Sequence, residues 1–268
     1  MNPSRFAASL CLALLAAVMT PSAAQQTFEP KVGQPGKDVI WVPTTPELVE
    51  KMLDVAKVTP EDYVIDLGSG DGRNVIAAAR RGARGLGVEY NPDMVALSTR
   101  LAAEAGVAGK ATFVQGDMYA ADFSQATVLA LFLLPSNLDR LRPKFLELRP
   151  GTRIVLNTFG IPDWESDETY RVEGDCESWC EALLYIVPAR AGGTWRMPGG
   201  ELTLTQTMQR ITGALVSNGV STPVTNGRLR GNTITFEAGA ARYTGVVDGN
   251  TITGNTSAGA AWTATRTP

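Results

Sequence analysis

The stretch Val64-Ile65-Asp66-Leu67-Gly68-Ser69-Gly70-Asp71-Gly72-Arg73-Asn74 constrains the fold more than any other part of the chain. Tyr63 to Leu67 is an apolar run of the kind that forms a buried parallel strand. Three glycines at alternate positions break it, and Val75, Ile76, Ala78 and Ala79 then follow on one side of a helical pattern. Strand, glycine turn and helix open a βαβ unit. Glycines at such a turn let the backbone come close to a ligand, and the helix start offers free N–H groups.

The detail of the turn selects the ligand. The dinucleotide fingerprint is G-x-G-x-x-G. Here the spacing is G-x-G-x-G, and Asp66 stands two residues ahead of Gly68. A carboxylate there suits an ammonium group and would repel a pyrophosphate. Gly85-Leu86-Gly87-Val88-Glu89 reads as the second strand, with Glu89 at the distance from Gly68 where a ribose-binding acid belongs. An amine site beside a ribose site describes S-adenosylmethionine. The third strand, Ala111 to Gln115, ends at Gly116-Asp117-Met118. An acid there suits adenine's exocyclic amine, and an apolar neighbour can pack on its face.

The chain opens with a short polar stretch holding Arg5, an apolar core from Ala7 to Met19, and the small residues Ser22-Ala23-Ala24. This predicts a secretory signal peptide over residues 1–24 and a periplasmic or secreted mature protein. The apolar run is short for a membrane span, which needs about 20 residues, so a retained anchor is the lesser reading. The formal charge is −3, without a basic run, which argues against a nucleic-acid partner. Histidine is absent, so histidine triads and histidine metal sites are excluded, and no metal site is expected. Cys176 and Cys180 remain after maturation. In an oxidising compartment they most simply form a local disulfide, although the spacing also permits two unpaired thiols.

Thr45-Pro46-Glu47 starts a helix with Leu48, Val49, Met52, Leu53 and Ala56 on one face. Trp41, just ahead of it, reads either as a pocket cover or as a core anchor. Asn91-Pro92-Asp93 starts another helix. Ala126 to Leu134 reads as a fourth strand, Leu138 to Leu148 as a helix, and Thr152 to Asn157 as a fifth strand. The alternation predicts an α/β fold, a Rossmann-like doubly wound parallel sheet with its ligand at the carboxyl ends of the strands.

These motifs together resemble those of class I S-adenosylmethionine-dependent methyltransferases. Val42-Pro43, Asp66 to Arg73, Glu89-x-Asn91-Pro92, Phe132-Leu133-x-Pro135-Ser136, Gly151-x-Arg153 and Pro162-x-Trp164 are similar to one branch. That branch is the mitochondrial protein-lysine methyltransferases that modify the ATP synthase c-subunit and the adenine nucleotide translocase. The resemblance spans about residues 39–165. It implies cofactor contacts at Asp66, Gly68, Ser69, Gly70, Asp71, Glu89, Tyr90, Asp117 and Met118. It places Trp41, Leu134, Pro135 and Ser136 around the reacting amine, with the Leu134 and Pro135 carbonyls positioning the acceptor. It also implies two further strands, one antiparallel, at Glu168–Glu173 and Ala182–Val187, with a Cys176–Cys180 link across their turn. The departures are the signal-like leader in place of an anchor and an extra C-terminal region.

That region, residues 189–268, is rich in Gly and Thr. Glu201 to Met208 alternates at period two, and Gly227–Thr235 resembles Gly245–Thr253. A small antiparallel barrel or sandwich of about six to seven strands is expected, with Trp195 and Trp262 in its core and a structural or substrate-presenting role. The domains are then a signal peptide (1–24), a methyltransferase domain (25–188) and a β-domain (189–268).

The expected activity is methyl transfer to a protein lysine. A lysine amine, with an ordinary pKa of about 10.4, must first lose its proton. An apolar mouth, Phe132 to Pro135 with Trp41 or Trp164, would favour the neutral amine by desolvating it. Two alternatives are a non-catalytic adenosyl-ligand-binding protein and an NAD-dependent oxidoreductase, the second disfavoured by the glycine spacing.

Overall fold

A computed structural model describes residues 28–173 and 176–267. The expected signal peptide lies outside the described residues. The first part is a seven-stranded sheet in the order β3-β2-β1-β4-β5-β7-β6. Its strands are β1 (Tyr63–Leu67), β2 (Arg84–Glu89), β3 (Ala111–Gln115), β4 (Val128–Leu131), β5 (Arg153–Asn157), β6 (Glu168–Arg171) and β7 (Glu181–Ile186). Only β7 runs against the parallel strands.

Side-chain alternation along β1 sorts the two layers. Val64 faces α1 (Pro46–Val55) and α2 (Arg73–Arg80), in a core with Leu48, Met52, Leu53, Ala78, Val128 and Val155. Ile65 and Leu67 face the other way, onto Leu138, Leu141 and Phe145 of α4 (Pro135–Phe145). Helix α3 (Pro92–Glu104) packs on β3. Helices α1 and α3 are capped by the Thr45 and Asn91 side chains and begin with proline, as their sequences foretell.

The fourth strand is shorter than the sequence suggests. Pro135 holds Leu134 extended and starts α4, so residues 132–134 leave the sheet.

The second part is a closed antiparallel barrel in the order β10-β11-β12-β13-β14-β15-β8-β9. It comprises β8 (Gly193–Met197), β9 (Gly200–Thr207), β10 (Arg210–Ser217), β11 (Val220–Arg230), β12 (Thr233–Ala238), β13 (Ala241–Asp248), β14 (Thr251–Thr256) and β15 (Ala261–Arg266). This exceeds the six to seven strands expected. The added strand, β8, is short and pairs with β15 at only two residues, yet it closes the barrel. Trp195, fully buried on β8, fills the interior with Leu202, Leu229, Ile234, Phe236 and Ile252. Trp262 packs edge-on against Phe236 and Tyr243.

The barrel docks at the amino ends of the parallel strands. The Ala189 N–H donates to the Gly231 carbonyl, and Gln209 Nε2 donates to the Glu165 carbonyl. Arg210 pairs with Glu165, Arg228 with Asp167 at 2.9 Å, and Arg230 with Glu168. The Asp167 side chain is fully buried and also accepts the Ile186 N–H at 2.8 Å. Asp167→Ala strands both donors and is expected to cost about 2–4 kcal/mol in urea unfolding. Cofactor affinity should not change; a coupled loss of affinity would refute a purely structural dock.

Candidate active site

The carboxyl ends of β1 to β4 open into one crevice. A hairpin from the leading segment forms the remaining wall. In it the Gly33 N–H donates to the Trp41 carbonyl, the Trp41 N–H to the Gln34 carbonyl, and the Gly36 N–H to the Val39 carbonyl.

The alternation that sends Val64 toward the helices sends Asp66 the same way. Asp66 is 3% exposed. Asn74 Nδ2 donates to its Oδ2 at 3.0 Å and to the Ala130 carbonyl at 3.2 Å. Asp66 Oδ1 and Ser69 Oγ are both buried, and neither has a protein partner. Burial pushes the Asp66 carboxyl well above its ordinary range, and the nearby Glu89 and Asp71 carboxylates add to this against the Asn74 hydrogen bond. A buried acid without a counter-charge calls for a cationic ligand.

The turn after β1 depends on glycine. Gly70 and Gly72 have φ of +54° and +81°. A Cβ on Gly70 would lie 2.7 Å from Trp41 Nε1, and one on Gly72 would lie 2.5 Å from the Phe113 ring. The Gly70 N–H donates to Glu89 Oε2 and the Asn91 N–H to Glu89 Oε1, each at 2.9 Å. These bonds fix the Glu89 carboxylate while leaving lone pairs for a diol. Asp71 is held by a bidentate pair with Arg73, whose guanidinium also donates to the Thr44 carbonyl.

Asp117 lies at the end of β3 and accepts the Tyr119 N–H at 2.9 Å. Lys37, from the hairpin, donates to it at 2.6 Å and lies 5.0 Å from the Tyr90 ring centre. The Lys37 hydrogen bond, with the Tyr119 N–H, holds Asp117 below the usual carboxylate range. Tyr90 is 52% exposed at the rim, and Met118 is buried at the crevice floor.

The structure brings Asp66, Gly68, Ser69, Gly70, Asp71, Glu89, Tyr90, Asp117, Met118 and Trp41 onto one crevice. It corrects two expectations. The Leu134 carbonyl accepts the N–H groups of Asn137 and Leu138 at 3.0 and 3.1 Å, so α4 consumes it. Pro135 and Ser136 open that helix and are exposed. Trp164 is 2% exposed and stands edge-on to Tyr185 in the core, away from the mouth. Sequence reasoning missed Lys37, Arg73 and Asn74. Only Asn74 had a signal, in the first turn of the helix after the glycines and opposite the strand end.

Cys176 and Cys180 are joined in a disulfide between β6 and β7. Among the described residues no cluster of acids or cysteines is placed to hold a metal ion.

A family model for the ANTKMT methyltransferase domain matches residues 66–168. A protein-lysine N-methyltransferase of Saccharolobus islandicus is 41% identical over 152 residues, covering 56% of this chain and 94% of the relative. The chain belongs to the ANTKMT methyltransferase family. The ATP synthase c-subunit lysine N-methyltransferase of Mus musculus is 37% identical over 130 residues, 48% of this chain. The chain spans about half the length of that relative, 52%. A crystal structure of an RNA methyltransferase from Salinibacter ruber, in complex with S-adenosyl-L-homocysteine, is 46% identical, with a TM-score of 0.52. It covers 55% of this chain and 94% of that one. The protein is an S-adenosylmethionine-dependent methyltransferase. The crevice fits that cofactor: an orphaned buried carboxylate for an ammonium, a fixed carboxylate for a diol, and an acid with an apolar floor for an adenine.

Because burial raises the folded pKa of Asp66 above its unfolded value, the folded chain holds that proton more tightly. The unliganded protein therefore loses stability as pH rises from the ordinary aspartate range through the raised pKa. Asp66→Asn is expected to remove this loss and raise the melting temperature at neutral pH. It should also weaken S-adenosylmethionine binding by about 10- to 100-fold. Melting curves and calorimetry check both; a variant less stable than the parent at neutral pH would contradict the argument.

Proposed function

We propose that this methyltransferase modifies the ε-amine of a lysine in a protein, and that it works outside the cytoplasm. The observation that carries the reading is the buried Asp66 carboxylate, whose Oδ1 has no protein partner, at the head of an acid-lined crevice. Strand order supports this division of roles. Asp117 on β3 serves the adenine amine, Glu89 on β2 the ribose, and Asp66 at the end of β1 the amino-acid ammonium. The Ser69 hydroxyl, buried and without a protein partner, lines the same crevice. When bound, the cofactor supplies a sulfonium methyl group to a nucleophile in line with it.

The chain's residues then align the acceptor and exclude water. Trp41 packs against the glycine turn and closes one side. Phe132, at the end of β4, gives the acceptor side an apolar wall that favours the neutral amine. A neutral acceptor amine held there would take the methyl group as the donor's C–S bond gave its electrons to sulfur, and would then lose its surplus proton to solvent. Proximity and desolvation suffice, so no histidine is needed.

The Saccharolobus and mouse relatives are named for lysine, the Salinibacter structure for RNA. Charge decides between them. Residues 25–188 hold 24 acids against 16 bases, a poor surface for a phosphate backbone. The leader pattern and the Cys176–Cys180 disulfide support an exported location.

Envelope extract incubated with methyl-labelled S-adenosylmethionine and the protein should yield label on protein lysines and none on RNA. Glu89→Ala should lower cofactor affinity by about 10- to 100-fold and transfer with it. Label on RNA alone would overturn the lysine reading. Recovery of the chain, uncleaved, in the cytoplasmic fraction would overturn the location.

A further inference from the structure

Three aromatic rings stand beyond the cofactor crevice on its β4 side. Phe132 lines the crevice itself. Phe159, just past β5, stacks on it with ring centres 6.0 Å apart and planes 20° apart. Trp179, just ahead of β7, meets Phe132 edge-on at 5.9 Å and is 43% exposed. Two of the three depend on unusual backbone. Thr158 and Trp179 both have a φ of +56°, rare for residues with side chains and common at functional sites. The Thr158 N–H donates to the Glu181 carbonyl, which ties the two bends together. The Cys176–Cys180 disulfide closes the loop that carries Trp179.

Strand order places this wall. Adenine, ribose and amino-acid ends lie over β3, β2 and β1, so the methyl end faces the next strand, β4. Phe132 is the first residue beyond it. A side chain reaching the methyl group would pass along Phe132 and Trp179. Aromatic faces suit an alkyl stem and hold a methylated ammonium by cation–π attraction. The surrounding stretch, Glu173 to Glu181, holds four acids and no base, which favours a cationic acceptor.

We propose that Trp179, presented by the Cys176–Cys180 loop against Phe132 and Phe159, forms the entry through which an acceptor lysine reaches the methyl donor. The bridge makes that entry redox-dependent. Oxidised, it fixes the tryptophan over the path; reduced, it frees the loop while the cofactor crevice stays whole. This inference rests on the lysine reading above.

Steady-state kinetics on a lysine-rich peptide with the full mature chain test it. Trp179→Ala is expected to raise the peptide KM by about tenfold, with kcat within about twofold and S-adenosylhomocysteine affinity unchanged. Trp179→Phe should recover most of the loss. The Cys176→Ser/Cys180→Ser double variant, and the parent under dithiothreitol, should show the same rise in KM. Calorimetry on the S-adenosylhomocysteine-loaded protein should show a trimethyl-lysine peptide binding more tightly than its glutamine counterpart, a preference lost in Trp179→Ala. An unchanged KM in Trp179→Ala, or a fall in kcat alone, overturns the entry. An unchanged KM on reducing the bridge overturns the redox dependence. A parent that binds the cofactor yet methylates no lysine peptide overturns the lysine reading, and this inference with it.

Discussion

A single buried carboxylate organises the first part of this protein. Asp66 lies near the carboxyl end of β1 on the face that packs against α1 and α2, buried and hydrogen-bonded by the Asn74 side chain, with no counter-charge beside it. The unliganded fold bears that cost, because an isolated buried charge is unfavourable. A cationic ligand offsets it. The positive-φ glycines, the backbone-fixed Glu89 and the hairpin wall all serve to bring such a ligand against Asp66. Affinity and fold stability are thus opposed at this residue, a common arrangement at functional sites.

The sheet and most of the crevice were legible because their signals are local. An apolar run ending in an acid and alternate glycines specifies a strand, a tight turn and a helix start within a dozen residues. The acids Glu89 and Asp117 could be placed because each also ends an apolar strand. What escaped depends on contacts distant in sequence. Lys37 reaches Asp117 across 80 positions, and nothing around Lys37 marks it. Strand β8 is too short and glycine-bounded to show alternation, yet barrel closure requires it. Nothing local in the sequence separates Trp164 from Trp179. One sits on Tyr185 in the core, the other on Phe132 at the surface, and only the loop path after β5 separates them. The Leu134 carbonyl misleads for a simpler reason: Leu134 is the N-cap of α4, and an N-cap carbonyl accepts the first bonds of its helix.

The two parts of the chain are matched in charge. Residues 189–268 carry seven arginines and three acids, opposite in balance to the sheet domain. Three of those arginines meet Glu165, Asp167 and Glu168, and the buried Asp167 pair gives the dock its specificity. The dock is at the amino ends of the parallel strands, so the barrel does not present substrate at the mouth. That leaves the entrance clear for an acceptor much larger than the crevice.

The hairpin at residues 33–41 contributes little to the core and much to the crevice. The sheet and barrel would survive its removal, but the adenosine end would lose its Lys37 and Trp41 side. A chain cut after Trp41 would therefore keep its fold and have a leaky crevice. Its sign would be rapid escape of S-adenosylhomocysteine at an unchanged melting temperature. The presence of this hairpin would thus govern how long the product stays bound, independently of the residues that perform the transfer.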